Sequence, residues 1–531
     1  MKRSISCFVA LCLLFGTASL VGCPAPSDGG ATATTTTSAA GGEPSAPSEP
    51  EFLDAVGEQD FGGAEMVISC FERYRYEVYA EEDSRDALDQ LIFKRNEKLE
   101  ERFHAKIVPD VTNMTGETDH GSHIEYLRTE LAGMAPSFDM IAMYAYVSER
   151  TQLGKHLRNL RTAVPFVRES IAGESPWWPK IINAGSTVMG RQYVGVTDFS
   201  ITAIDMAMAI LFNETLFSSY NVLAEYNAEE DTEYGSIYDL VDAGAWTLDT
   251  MTAMLKDRWY DHAEVGVAGQ ADPEDVIGLF TDQTSHIDSF TAALGFRFVE
   301  NDGISKPTLW TMPATYETAI GKLRSLLLDS DGAIMNGTRT FYNVPAADHT
   351  RLFAEGHAIM AASTLLALKN PLIKGMEQNY GVLPYPKLDA DQPRYLTGSG
   401  GSMTVIAVPK YTTGKDLRLT GAMIEGLSAE TYKSVTDVYY GMILKHDSGF
   451  VDRRSLDMLD KIMEGRTYAL SSYHCSEFIF NTWETYAEFS IFTRYLLTYP
   501  NKDVAGAWSG IRDFCKTALD KIIAIYESEN V

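Results

Sequence analysis

The 531-residue chain is 45% hydrophobic and 22% charged, a balance that can bury a sizeable core and excludes both a disordered and a collagen-like polymer. Its length exceeds one compact core, so two or three domains or lobes are expected. Asp and Glu outnumber Lys and Arg 73 to 44, and the net charge of −29 repels phosphate backbones, which argues against nucleic acid as a partner.

Lys2 and Arg3 precede the apolar run Cys7 to Phe15, and small and apolar residues follow from Gly16 to Cys23. This layout predicts an export signal, and the apolar run falls short of the roughly 20 residues a membrane-spanning helix needs. The later apolar stretch Ile204 to Phe212 is interrupted by Asp205, so it is not read as a span either. Leu20-Val21-Gly22-Cys23 resembles a bacterial lipobox. That resemblance implies a signal peptide at 1–22 and a mature chain that starts at an acylated Cys23, anchored by lipid to a cell membrane and facing the extracellular or periplasmic side.

From Pro24 to Pro50 the chain uses only Pro, Ala, Ser, Thr, Gly, Asp and Glu, too little apolar surface to offset the entropy of ordering. Residues 23–60 are therefore read as a lipid-anchored flexible stalk with a reach on the order of 30 Å. Removing 1–22 leaves Cys70, Cys475 and Cys515 besides Cys23. Three thiols cannot all pair. Cys475 with Cys515 is the possible disulfide, and no Cys or His spacing points to zinc.

Beyond the stalk, Glu65 to Phe71 reads as a strand. Asp86 to His104 reads as a helix with Leu88, Leu91, Ile92, Leu99 and Phe103 on one face. Lys106 to Val108 is a second strand, Ile124 to Met134 a helix, and Phe138 to Tyr144 a nearly continuous apolar strand of the buried parallel kind. This β-α-β-α-β order predicts a doubly wound sheet with ligands beyond the carboxyl ends of its strands. Later, Tyr193 to Thr197 and Ala358 to Ala362 read as strands. Helices are expected over Thr247 to Asp257, Tyr316 to Leu328, Asp416 to Leu427, Ser455 to Met463 and Val504 to Tyr526.

Several segments in one order carry a family resemblance: FKRNEKLEERFHAKI at 93–107, LRTELAGMAPSFD at 127–139, LRNL at 157–160, Pro176-Trp177-Trp178 and GRQYVGV at 190–196. LFNETL at 211–216, Trp246-Thr247-Leu248, FAEGHAIM at 353–360, GVLPYP at 381–386, Gly398 to Gly401 and Ala407-Val408-Pro409 continue it. The chain resembles the extracellular solute-binding lipoproteins of ABC importers, and within them the carbohydrate-binding, maltose-binding-protein-like branch. It departs at His357, where a small or basic residue is more usual, and in a long acidic loop from Ala224 to Ser236.

The resemblance implies an α/β, two-lobed periplasmic-binding-protein-like fold of type II, each lobe a mostly parallel sheet flanked by helices. Lobe one would comprise 61–200 and 398–438, and lobe two 201–397 and 439–531. Hinge crossings would lie near Val196 to Ile204, Leu396 to Met403 and Tyr432 to Leu444. A monomer would capture a sugar or oligosaccharide between the lobes and deliver it to the transmembrane subunits of a permease, without catalysis and without a cofactor.

Sugars are apolar on their ring faces and polar at their edges, so aromatic side chains with nearby Asp, Asn or Ser are the candidates. Tyr144 and Tyr146 end the third strand where the family's first-lobe ligand residues lie. Trp177, Asp198 and Ser200 precede or begin the first crossing, Ser363 follows the strand at Ala358, and Gly400 lies in the glycine-rich crossing. Surface or core packing is the competing reading of the two tyrosines, packing that of Trp177, a hinge or cap role that of Asp198, and hinge freedom instead of direct contact that of Gly400. His120 and His123 have a metal-compatible spacing but read as a polar loop, and Asp329-Ser330-Asp331-Gly332 as a turn without a calcium ligand set. No GxSxG, Walker or HExxH pattern is present. A secreted, lipid-anchored sugar-active enzyme of the glycoside hydrolase kind is the alternative function.

Overall fold

The computed structural model describes residues 56–111, 120–145, 148, 153–262, 274–282, 285–335, 349–412, 414–470 and 492–528. The signal peptide, Cys23 and the stalk as far as residue 55 lie outside them, as do Tyr146 and Cys475. Two sheets are built from β1 (Ala64–Cys70), β2 (Ala105–Asp110), β3 (Met140–Tyr144), β4 (Met208–Asn213), β5 (Val276–Thr281), β6 (Ala333–Met335), β7 (Ala358–Thr364), β8 (Tyr380–Leu383) and β9 (Thr404–Ala407). Around them pack α1 (Ala87–Phe103), α2 (His120–Ala132), α3 (Leu248–Leu255), α4 (Ala314–Leu327), α5 (Gly414–Glu430), α6 (Arg454–Glu464) and α7 (Val504–Glu527).

The first sheet has the order β9-β3-β1-β2. Its β1 pairs in parallel with β2 and β3, and α1 crosses between β1 and β2. Asp86 caps α1 by accepting from the N–H groups of Leu88 and Asp89, and His104 ends it in the left-handed region at φ 45°. The buried face of α1 carries Leu88, Ile92, Leu99 and Phe103. It approaches α5 so closely that a Cβ at Gly426 would lie 2.8 Å from a methyl of Leu99 and 2.9 Å from the Phe103 ring, so a larger residue there would force these buried side chains to shift.

Four expectations about this lobe are corrected. α2 begins four residues before the apolar periodicity does, and β3 begins at Met140. The sheet also carries an antiparallel edge strand, β9, which pairs Thr404 with Tyr144. Finally, Tyr193 to Thr197 is not a strand. The Asn183 side chain takes both the N–H and the C=O of Val196, at 2.9 and 2.7 Å, and so replaces a ladder partner.

The second sheet has the order β6-β5-β7-β4-β8, with β4 antiparallel to β7 and β8, and β5 parallel to β6 and β7. Every residue of β4 and β5 is buried, as expected of strands covered on both faces whose sequences are apolar up to a final Asn213 and Thr281. Ser363 and Thr364 are the last two residues of β7, paired with Ala209 and Met208, and do not form a loop after it. Most of the expected acidic loop is the helix Val222–Glu230, closed by Asp231 at φ 54°.

One apolar cluster is confined to the first sheet and its helices and includes Ile68, Leu99, Phe103, Ile406 and Leu427. A larger one runs from the second sheet through Ile204 and Met206 to Tyr144 and Leu127. The molecule is thus a two-lobed α/β fold whose lobes share apolar contacts where the chain crosses between them. Cys515 is a free thiol buried in α7, where desolvation pushes its pKa up to about 12. Its expected partner, Cys475, falls outside the described residues. Among the described residues no helix is long and apolar enough to cross a membrane.

Candidate functional site

The first two crossings run side by side. Met208 N–H donates to Gly398 O at 3.1 Å, Gly400 N–H to Met206 O at 2.9 Å, and Gly195 and Ile406 exchange two hydrogen bonds of 3.0 and 2.8 Å. Gly400 does not have a positive φ. The third crossing continues α5 as π-helical turns, Thr431–Thr436 and Tyr439–His446, a geometry that widens a helix and recurs at functional sites.

The crossings converge on Asp205, the last residue of the one-turn helix Thr202–Asp205, whose carboxylate is fully buried. Its Oδ1 accepts from the Tyr439 hydroxyl of the third crossing. Its Oδ2 accepts from the Tyr76 hydroxyl at 3.3 Å and from Lys369 Nζ at 2.9 Å. Tyr76 belongs to the 3₁₀ turn Glu72–Glu77 that follows β1, and Lys369 to the 3₁₀ turn Leu365–Lys369 that follows β7. The carboxyl ends of one strand from each sheet therefore meet on this single carboxylate. Lys369 Nζ lies 5.7 Å from the Tyr76 ring centre and 5.1 Å from that of Tyr439. Desolvation, reinforced by Asp205, pushes both phenol pKa values well up, so both hydroxyls remain donors. The Lys369 side chain, 25% exposed, forms the solvent side of the cluster.

Beside Asp205 stands a second buried carboxyl, Glu77. It accepts from the Thr202 N–H at 2.7 Å and the Thr404 hydroxyl at 2.5 Å, which ties the end of β1 to the first crossing and to β9. Burial pushes its pKa up to about 7 against the pull of those hydrogen bonds, and Asp205 adds to the rise. The guanidinium of Arg95, held near 9 by desolvation, reaches Glu77 O at 2.8 Å and the Thr431 hydroxyl at 3.0 Å. Lobe one's α1 is thereby linked to the start of the π-helical crossing.

Tyr144, at the end of β3, is buried between Phe71 and Tyr74, with ring centres 4.9 and 5.2 Å away. Tyr74 in turn lies 6.1 Å from Tyr76, so an aromatic row leads from β3 to the Asp205 cluster. Asp198 is half-buried, and desolvation pushes its pKa up to about 7, with Arg466 opposing and Asp437 adding to the rise. Among the described residues no hydrogen-bond donor reaches the Asp198 carboxyl, and the buried Ser200 hydroxyl is also without a partner. Trp177 lies in the core of the first lobe, where its indole N–H donates to Glu425 at 2.9 Å beside that of Trp178 at 2.8 Å. Ser363 is half-buried on β7, and Tyr146 lies outside the described residues.

The structure therefore places Asp198, Ser200 and Gly400 along the paired crossings, Tyr144 at the far end of the aromatic row, and Trp177 in a separate lobe-one network. Sequence reasoning missed Tyr76, Asp205, Lys369 and Tyr439. Only Asp205 left a signal, as the one charge inside an apolar run. Chemically, the cluster offers an anionic acceptor, a cationic donor, two phenol donors and two aromatic rings at one point, a set that can exchange its internal hydrogen bonds for those of a polyhydroxylated solute. His123 is buried, 3.3 Å from the Ser69 hydroxyl, and no group of three or more His, Cys, Asp or Glu among the described residues could hold a metal ion.

No family model and no curated protein matches the chain. Solved structures do. The sugar-binding protein MalE from Xanthomonas citri superposes with a TM-score of 0.52 at 14% identity, over 88% of this chain and 100% of that one. UgpB from Mycobacterium tuberculosis, solved in complex with glycerophosphocholine, superposes with a TM-score of 0.50 at 12% identity, over 87% of this chain and 99% of that one. Both likenesses span nearly the whole folded body. The chain has the two-lobed fold of these binding proteins.

Proposed function

We propose that this protein is the extracytoplasmic substrate-binding subunit of an ABC importer. It captures a sugar or oligosaccharide between its lobes and hands it to permease transmembrane subunits. The observation that carries the reading is the convergence on Asp205 of Tyr76, Lys369 and Tyr439, side chains that follow strands of both sheets or lie on the third crossing. A hydroxyl-rich solute entering there replaces the donors of Asp205 with its own, stacks on the tyrosine rings and draws the lobes together, and the permease reads that closure. Asp198 and Ser200, whose side chains have no hydrogen-bond partner among the described residues, complete the polar lining along the first crossing, with Tyr144, Tyr146 and Ser363 on the two lobes and Gly400 on the second crossing. Trp177 supports this wall from behind.

Lobe one is assigned to 61–200 and 398–438 and lobe two to 201–397 and 439–531, a division supported by the membership of the two sheets. Cys23 carries the lipid that holds the monomer at the outer face of the membrane through its stalk. Catalysis is not part of this reading.

A thermal-shift screen of neutral mono- and oligosaccharides on the mature chain tests the proposal. Ligand at 100 times its Kd stabilises the folded state by about 2.7 kcal/mol. One or more sugars should stabilise the wild type and be recovered intact. Failure of the whole panel would remove the sugar assignment, and recovery of cleaved sugar would establish the glycoside hydrolase alternative.

A further inference from the structure

A cavity of ≈ 490 Å³ opens on the second lobe, at the end of β4 remote from the crossings, and shares no residue with the Asp205 cluster. A six-residue strand spans about 20 Å, which separates the two places. Phe212, Phe217 and Ile237 are buried beneath the cavity, and the Phe212 ring meets those of Phe217 and Tyr238 edge to face at 5.9 and 5.6 Å. The size and the apolar floor are those of a small-molecule pocket.

The charged groups on its wall are unequally satisfied. Arg454 is fully engaged: it pairs with Asp452, donates to the Ser236 hydroxyl at 2.7 Å, approaches Asp239 at 3.8 Å, and lies 4.9 Å above the Tyr238 ring. Glu214 is not. One of its oxygens accepts from the Tyr238 hydroxyl at 2.7 Å, and among the described residues no donor reaches the other. Desolvation raises the Glu214 pKa, the mark of a carboxyl short of compensation, and the Tyr238 hydrogen bond opposes the rise. Glu214, Asp452 and Arg454 leave the lining with a net negative charge that no side chain of the cavity neutralises. Ser218 and Asn221 offer further polar groups at the exposed rim.

We infer that this cavity is a second binding site, which takes a small primary amine with an apolar or aromatic body. The ammonium group meets the open oxygen of Glu214, and the body lies on Phe217 and Leu223.

Calorimetric titration of the mature protein with 2-phenylethylamine tests this, with 2-phenylethanol and phenylacetate as the neutral and anionic probes of similar shape. The amine should bind at least tenfold more tightly than either control. Glu214→Gln, which keeps an acceptor for Tyr238, and Ser218→Trp, which fills the mouth from an exposed position, should each weaken it about tenfold or more, a change of about 1.4 kcal/mol. Asp205→Asn should leave it unchanged. The site is overturned if the amine fails to bind at about 10 mM, weaker than about −2.7 kcal/mol. It is also overturned if the three probes bind alike, if both lobe-two variants retain wild-type affinity, or if Asp205→Asn abolishes binding.

Discussion

In the first lobe, Glu425 on α5 accepts the indole N–H groups of Trp177 and Trp178. At the crossings, Asp205 accepts the phenol hydroxyls of Tyr76 and Tyr439. The local chemistry is the same, a buried carboxylate fed by two aromatic donors, but the surroundings differ. All three members of the Glu425 group pack within the apolar cluster of the first sheet or directly on it. The partners of Asp205 come from the ends of β1 and β7 and from the third crossing, and a cation joins them. A carboxylate whose donors share one rigid body acts as a staple. One whose donors belong to different bodies holds only while those bodies stay together.

The largest effect is expected from Glu425→Ala. It leaves two buried indole N–H groups without an acceptor, each worth about 1–3 kcal/mol, so a total loss of about 2–6 kcal/mol should appear in denaturant unfolding. Ligand affinity of the surviving folded protein should stay within about twofold, and a parallel fall in affinity would break the distinction. Asp205→Asn reverses the balance. It removes the partner of Lys369 and should weaken ligand binding by about 1–3 kcal/mol, a tenfold to hundredfold rise in Kd by calorimetry, with a smaller loss of stability than Glu425→Ala.

A pH series sharpens the comparison from the side of the staple. Burial holds Glu425 at about 7, above its ordinary 4.5, against the indole hydrogen bonds. The folded protein therefore keeps a proton that the unfolded chain gives up. The resulting stability is fully present below about pH 4.5 and is lost as pH rises through 7. Glu77 acts in the same sense. Unfolding free energies at pH 5 and pH 8 should differ less in Glu425→Gln than in the wild type, and an unchanged difference would show that the carboxyl does not titrate in this window. The smallest effect is Trp177→Phe, which keeps an aromatic ring and removes one donor, and should cost about 1 kcal/mol with no change in ligand affinity.

The elements of the first lobe were legible because their signals are local. The Asp86 cap, the apolar face of α1 and the unbroken apolar run of β3 depend on neighbours in sequence. β9 was not legible as part of the first sheet because its partner, β3, lies far away in the chain. The site was harder still. Tyr76, Lys369 and Tyr439 sit in a 3₁₀ turn, a second 3₁₀ turn and a π-helical segment, where neither the 2.0 nor the 3.6 periodicity marks a side chain's direction. Asp205 was visible as a charge in an apolar run. The property that argued against a membrane span there, the cost of burying it, is also what demands the three donors found around it.

The edge strand β9 has a consequence for the timing of synthesis. Ribosomes deliver the chain from its amino end, so β3 emerges long before Thr404–Ala407, and Trp177 and Trp178 long before Glu425. Until then the nascent polypeptide carries an apolar strand, MIAMY, with one side unpaired, the kind of open edge that seeds association between chains. The first sheet cannot close before the second sheet has been made, so the chain is kept from folding prematurely by its own order of residues, and any chaperone that meets it at the ribosome has to cover that edge until the last quarter of the chain arrives.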